Sequence, residues 1–419
     1  MHLRHIFTRV LLAIFIAGSA AVCRAEIYPE TSYKIQNRKL LSWEGPERVV
    51  DMAGDPTLAR VTSIGDFAFS GTDVEEVTLP SGLRVVPIGC FENCLRLERV
   101  NLGQRVGFIR EGAFARCKSL REIDIPDGLL YIGPAAFEES GIARIDLSAT
   151  SCFEYGDRAF AACADLREIL LAETQPINLG NDILRDCPAL EAVTIPDAWH
   201  EVPAAMLAGS RKLRSAHIGG SVTHIADSAF TGCTALREVS FGVRLTSIGR
   251  DAFAGDESIR LLYFPEEVQT IGDGAFEGCT SLERIFMGRG IRDIGDAAFA
   301  DCFRLQQIDL QATAPPANWP GSFTGMDRGA VTLAVPAEAE SAYIRAAGWQ
   351  QFNVQTLTGV DAPVYPGHEH SVLYSLDGRR VEIPMYLGDV SASSLGGFVP
   401  PGFYILCRPG MTPTKVIIR

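Results

Sequence analysis

Apolar residues return along this chain with a period in the twenties, and phenylalanine marks the beat. Phe69, Phe91, Phe114, Phe137, Phe160, Phe230, Phe253, Phe276 and Phe299 share one frame, with Leu184 and Leu207 filling the two remaining places. Successive steps are 22, 23, 23, 23, 24, 23, 23, 23, 23 and 23 residues. Five positions before each stands another apolar side chain, from Ile64, Val86 and Ile109 to Ile271 and Ile294. Glycine follows it in seven copies (Gly65, Gly133 and Gly249 among them), which suits a turn needing positive φ. Directly before the phenylalanine comes a small residue, usually alanine, as a close approach of two backbones requires. After it the period changes. Leu120, Ile123 and Ile125 enclose Arg121, Glu122 and Asp124, and the same triplet recurs as Leu97-Val100-Leu102, Leu190-Val193-Ile195, Leu236-Val239-Phe241 and Leu282-Ile285-Met287. Such alternation predicts a strand with one buried face. Proline or glycine (Pro80, Gly103, Pro126) closes it.

Eleven copies in phase predict a solenoid of short stacked coils. A single coil cannot bury its own phenylalanine. Stacking does so, at about 1.5–3 kcal/mol for each large side chain removed from water. Stability then becomes a sum of coil and neighbour terms, with caps protecting both ends. The expected fold class is an α/β solenoid: about eleven 23-residue coils with a parallel β-sheet, capped at both ends, plus a small all-β carboxy-terminal tail. The expected boundaries are a signal peptide over 1–25, a leading cap over 26–60, the repeats over 61–310, a closing cap over 311–358 and the tail over 359–419.

The repeats resemble the leucine-rich repeat of the BspA-like type, found in secreted and surface proteins. SIGDFAF, FIREGAFARCKSLREIDIP, HIADSAFTGCTALREVSF and TIGDGAFEGCTSLERIFM carry the likeness, which spans residues 61–310. It implies adhesion, or binding to host-matrix and cell-surface molecules, without naming a ligand. The tail reads Y-x-x-D-G-R-R-V … P-G-F-Y-I … K-V-I-I-R from Tyr374 to Arg419. This resembles the small β-sandwich tails that serve as type IX secretion sorting signals in Bacteroidetes. It departs from them in being short, with a Gly/Ser-rich insert (Ser391 to Gly397) where a strand is expected.

The ends and the composition refine this picture. Arg4 and Arg9 precede an apolar run from Val10 to Val22, and Cys23-Arg24-Ala25 follows, the pattern of a secretory signal peptide. Val22 and Ala20 argue against acylation of Cys23. No later segment reaches the roughly 20 apolar residues of a spanning helix. Loss of residues 1–25 removes three arginines and no acid, taking the formal charge from −13 to −16. A chain this acidic repels phosphate backbones, which excludes nucleic acid as a partner. The leading cap carries Lys39 to Trp43 and Val49 to Met52, segments able to cover the first coil. In the closing cap Tyr343 to Trp349 predicts a short helix, with Trp349 and Phe352 on the last coil.

Eleven cysteines in an exported chain raise the question of disulfides. The repeat answers it differently. Cys94, Cys117, Cys163, Cys187, Cys233, Cys279 and Cys302 occupy one column, which Thr72, Ser140, Ser210 and Asp256 fill elsewhere. That column wants a small side chain able to bond to nearby backbone. Cys90 and Cys152 fall in small-core columns, so buried, reduced thiols are expected.

No catalytic constellation survives the repeat frame. The G-x-S-x-G, H-E-x-x-H and G-x-x-x-x-G-K-[ST] patterns are missing from the sequence. Gly272, Gly274 and Gly278 are repeat glycines, and His368-Glu369-His370 reads as a polar linker. No enzyme, cofactor or metal is expected. More informative is the outward position between the two strand apolars: Thr78, Asn101, Asp124, Asp146, Leu170, Thr194, His217, Ser240, Tyr263, Phe286 and Asp309. Most are polar. Tyr263 and Phe286 stand side by side with Leu261 next to them, and adjacent aromatics on a rigid face mark a contact site. The opposing expectation is that the cap or tail covers this end. Tyr263, Phe286, Leu261 and His217 are the candidate binding residues. The flank charges (Arg121, Arg167, Arg214, Arg237 and Arg260 against Glu75, Glu98, Glu191 and Glu283) read as solvation of the sheet. The sequence therefore points to an exported, non-enzymatic surface for a protein or glycan on a host or neighbouring cell, or else to an envelope scaffold or polysaccharide-binding protein.

Overall fold

The computed structural model describes residues 28–357 apart from 319, together with the strands Val372–Ser375, Arg380–Val381, Gly402–Cys407 and Thr414–Ile418. The expected signal peptide, the His368-Glu369-His370 stretch and the Gly/Ser-rich insert lie outside the described residues.

The repeat folds as a parallel-strand β-solenoid of about 14 turns. With one exception, each repeat coil gives one strand to each of two parallel sheet systems. The first follows the alternating triplet, from Val49–Asp51 and Glu76–Thr78 to Gln307–Leu310, Thr332–Val335 and Asn353–Thr356. The second is made of two-residue strands ending on the apolar residue five places before the phenylalanine, such as Phe108–Ile109, Tyr131–Ile132 and Thr270–Ile271. This second system was not expected. The stretch Ile123 to Ile125, expected as a strand, is not one, although Ile123 is buried.

The expectation of an α/β fold with eleven coils needs correction. Helix is confined to three-residue 3-10 turns and the six-residue helix Glu340–Arg345 among the described residues. The cause lies around the phenylalanine. In every repeat the residues two before and two after it have positive φ, as in Gly112 (φ 58) and Arg116 (φ 60) around Phe114, or Arg158 (φ 57) and Ala162 (φ 56) around Phe160. Left-handed residues four apart cannot sit in a right-handed helix. The segment folds instead as consecutive turns whose N–H groups bond to the next coil: Phe91 to Ala113 O at 2.8 Å, Phe114 to Ala136 O at 2.8 Å. The extra turns come from the caps, whose aromatics stand off the repeat spacing.

The glycines after the apolar column also need a different explanation. Gly133 and Gly249 do not have positive φ; a Cβ on Gly133 would stand 2.6 Å from Glu111 N, and one on Gly249 2.7 Å from Ala226 C. They are glycine because consecutive coils touch there, not because of a turn.

Phenylalanine rings run down the middle as a ladder. From Phe69 to Phe160, and again from Phe230 to Phe323, successive centroids lie 4.8–5.4 Å apart with near-parallel planes. Leu184 and Leu207 bridge the gap, both fully buried. Trp43 stacks on Phe69 at 5.8 Å, and its strand Lys39–Trp43 pairs with Ser63–Ile64. At the far end Trp349 and Phe352 meet Phe323 edge-on at 5.7 and 5.2 Å. Tyr343, on the short helix, donates its hydroxyl to Ala312 O at 2.9 Å.

The nine cysteines of the repeats, from Cys90 to Cys302, are free and buried. The column thiols donate to the backbone carbonyl of the ladder residue one coil back, for example Cys94 to Phe69 O at 2.9 Å and Cys163 to Phe137 O at 3.1 Å. Ser210 does the same to Leu184 O at 3.3 Å. Burial pushes the Cys163 thiol up to about 11 and that of Cys302 to about 12, which keeps both protonated and unreactive. Beyond the solenoid, the four tail strands form an antiparallel sheet in which Val372–Ser375 lies between Arg380–Val381 and Gly402–Cys407, and Gly402–Cys407 pairs in turn with Thr414–Ile418.

Candidate binding face

The outward side of the triplet strands is a stack of single positions. Parallel strands lie roughly 4.8 Å apart, so each coil adds one side chain per step. From Asn101 through Asp124, Asp146, Leu170 and Thr194 to His217 these side chains are exposed, with Thr78 and Ser240 half-buried at either end. His217 is in register with Thr194 and Ser240, and its Nδ1 lies 2.6 Å from the Ser240 Oγ. The flanks carry ion pairs between neighbouring coils, such as Arg260–Glu283 at 2.9 Å and Arg48–Glu75 at 2.7 Å. Exposed pairs of this kind contribute about 0–1 kcal/mol, so they solvate the sheet as expected.

Two strands later the face changes character. Tyr263 and Phe286 pair in register and stack with centroids 4.4 Å apart and planes at 4°. Neither is exposed: Tyr263 retains 9% of its surface and Phe286 8%. The burial does not fit the expectation of exposed anchors. Arg284 lies over the Phe286 ring at 4.4 Å, a cation–π contact, and pairs with Asp309 at 2.6 Å. Gln307 donates to the other Asp309 oxygen at 2.7 Å. Asp309 is itself buried, so this ion pair is held by hydrogen bonds on both carboxylate oxygens. Leu261 is half-buried beside Arg284 in the register. Burial raises the Tyr263 phenol above its ordinary range. His217 stands in the open part of the face and the other three candidates in the covered part.

Two features escaped the sequence reading. The first lies on the other sheet, where Val85, Phe108 and Tyr131 are in register. The two rings sit 6.2 Å apart, and Val85 and Phe108 are exposed. The column six places before the ladder phenylalanine would have revealed it. The second is Asp256, the one acid in the thiol column. It is fully buried, and neither carboxylate oxygen has a hydrogen-bond partner among the described residues. Burial pushes its pKa well above the usual carboxylate range. Among the described residues no group of three or more His, Cys, Asp or Glu converges as a metal site, and no helix is long and apolar enough to cross a membrane.

A capped parallel solenoid with a ladder of buried rings and a flat outer strand face is the architecture of a leucine-rich-repeat protein. The chain belongs to the BspA type leucine rich repeat region family, whose model matches residues 57–167, 85–214 and 200–315, more than half of its length. A search among curated proteins finds no match. Solved structures similar to it include a leucine-rich repeat protein from Bacteroides ovatus, at 23% identity over 68% of this chain and 94% of that one, TM-score 0.33. A leucine rich cell surface protein from Faecalibacterium prausnitzii is similar at 21% identity over 68% and 94%, TM-score 0.36. The pneumococcal vaccine antigen PcpA is similar at 17% identity over 76% of each chain, TM-score 0.39.

Proposed function

We propose that this is an exported, non-enzymatic binding protein of the outer cell surface or medium. Its contact surface is the open strand face from Thr78 to Ser240, and its partner is a protein or glycan on a host or neighbouring cell. The observation that carries the reading is the face itself. A run of outward side chains stands open on a backbone whose inner side is a continuous buried core, so the surface is stiff and costs little order to present. Family membership supports a binding or scaffold role. The signal-peptide pattern supports export, and the tail pattern supports a sorting function in a type IX route. Leu170, Thr194 and His217 are the proposed contacts in the full chain. Tyr263, Phe286 and Leu261 join them only where the covered part is opened.

Screening the mature full-length chain on protein and glycan arrays tests the reading. Combined Leu170→Ser and His217→Ala substitution should weaken the binding found by at least tenfold, about 1.4 kcal/mol. Unchanged affinity in a folded variant places the contact elsewhere. A second reading, an envelope scaffold holding polysaccharide, draws on the open Phe108–Tyr131 pair, whose ring faces suit sugar stacking. Under it Phe108→Ala, and not the Leu170/His217 pair, abolishes glycan capture.

A further inference from the structure

The molecule contains its own reference for an uncovered aromatic pair. Phe108 and Tyr131 face outward from paired strands, and Phe108 retains 39% of its surface despite neighbours on both sides. Leu170, on the same face as Tyr263, retains 36%. Tyr263 and Phe286 occupy an equivalent outward column and retain 9% and 8%. Asp309, the next position, retains 5%. Stacking hides one side of each ring, and Arg284 lies over Phe286. That still leaves edges which, on Phe108, are wet. Since the rings are buried in a single molecule, their cover comes from the same chain.

The topology indicates which part. Leu261–Tyr263 belongs to a five-stranded sheet that continues through Arg284–Met287, Gln307–Leu310 and Thr332–Val335 to Asn353–Thr356. The chain therefore runs on from the rim of this very sheet, four strand spacings or roughly 20 Å from Tyr263. Residues 358–371 span up to about 45 Å when extended, enough to return. The strands that follow are rich in apolar residues: Val372-Leu373-Tyr374, Phe403-Tyr404-Ile405-Leu406 and Val416-Ile417-Ile418. A four-stranded antiparallel sheet of that composition needs a surface against which to bury one face.

We propose that the carboxy-terminal sheet of Val372–Ser375, Arg380–Val381, Gly402–Cys407 and Thr414–Ile418 seats on the outward strand face over Tyr263, Phe286 and Asp309 and keeps outside partners from that part of it. The inference rests on burial and connectivity, and it is independent of what the open part binds. The covered patch then becomes a second contact area, aromatic with one arginine, that is available only when the tail is displaced or removed.

Photo-crosslinking in the full chain tests it. p-Benzoylphenylalanine placed at position 263 should capture peptides from residues 359–419, and a mixture of isotopically heavy and light chains should show the link within one molecule. The same probe at position 108 should capture at least tenfold less of those peptides. Position 261, half-buried beside the pair, serves if 263 does not accept the probe. Links from 263 or 261 confined to residues 28–357, links to a second chain, or equal tail capture from 108 would each overturn the proposal.

Discussion

Two aromatic pairs stand on the outside of one stack and meet different environments. Phe108, exposed, and Tyr131, half-buried, form a looser and more open pair with rings 6.2 Å apart, whereas Tyr263 and Phe286 close to 4.4 Å and are buried. Both pairs arise in the same way, from aromatic residues in the outward position of successive parallel strands. The repeat therefore decides the direction in which a side chain points, but not how much of it water reaches. On the triplet face itself, the column from Thr78 to Ser240 is mostly polar and, from Asn101 to His217, exposed.

The buried ladder sets the scale for both pairs, and substituting it gives the largest expected effect. Phe160→Ala should destabilise by roughly 3–5 kcal/mol, the cost of emptying a large aromatic site. Hydrogen exchange should quicken in the coils beside Phe137 and Leu184 before the rest. Even loosening along the whole array would break the picture of coils held only by their neighbours.

Phe286→Ala should cost about 1.5–3 kcal/mol, as for a buried ring, and should release Arg284 from its cation–π contact. Chemical denaturation measures it. A loss under half a kcal/mol would place Phe286 with the open pair.

Asp256 offers a contrast inside the core. Its folded pKa is raised, so the unfolded chain ionises near pH 4 while the folded chain stays protonated. The folded state then loses stability as pH rises above about 4, until the folded pKa is reached. Asp256→Ser, which supplies the hydroxyl used by Ser210, should stabilise by roughly 1–3 kcal/mol at pH 7 and by clearly less at pH 4. Melting at the two pH values checks this; equal gains would mean that the carboxyl is not held neutral.

The smallest effect belongs to the open pair. Phe108→Ala should change stability by no more than about 0.5–1 kcal/mol, as for a surface site. A loss approaching that of Phe286→Ala would erase the difference between the pairs.

Much of this architecture was legible because stacking turns a chemical need into a period. The ladder residues, the alternating triplet and the thiol column all answer to a neighbour one coil away, so each repeats. The missing helix was hidden because its cause, positive φ two residues either side of the ladder, is carried by residues as different as Arg116, Ala162, Asp186 and Gly232. The turn count was hidden because Trp43 and Trp349 extend the stack 26 residues from Phe69 and Phe323, off the repeat spacing. The four candidate binding residues do lie on one outward strand face, but the burial of Tyr263 and Phe286 has no counterpart in the repeat pattern, where their column is otherwise mostly polar and open. The Phe108–Tyr131 pair was missed for a simpler reason: its column was not expected to be a strand.

Hydroxyl-radical footprinting of the full chain tests the central contrast most directly, since both pairs are read in one molecule and one exposure. Tyrosine and phenylalanine react at similar intrinsic rates, so the ratio reports access to water. The account predicts that Phe108 and Tyr131 are modified at least several-fold faster than Tyr263 and Phe286. Equal rates for the two pairs would contradict it.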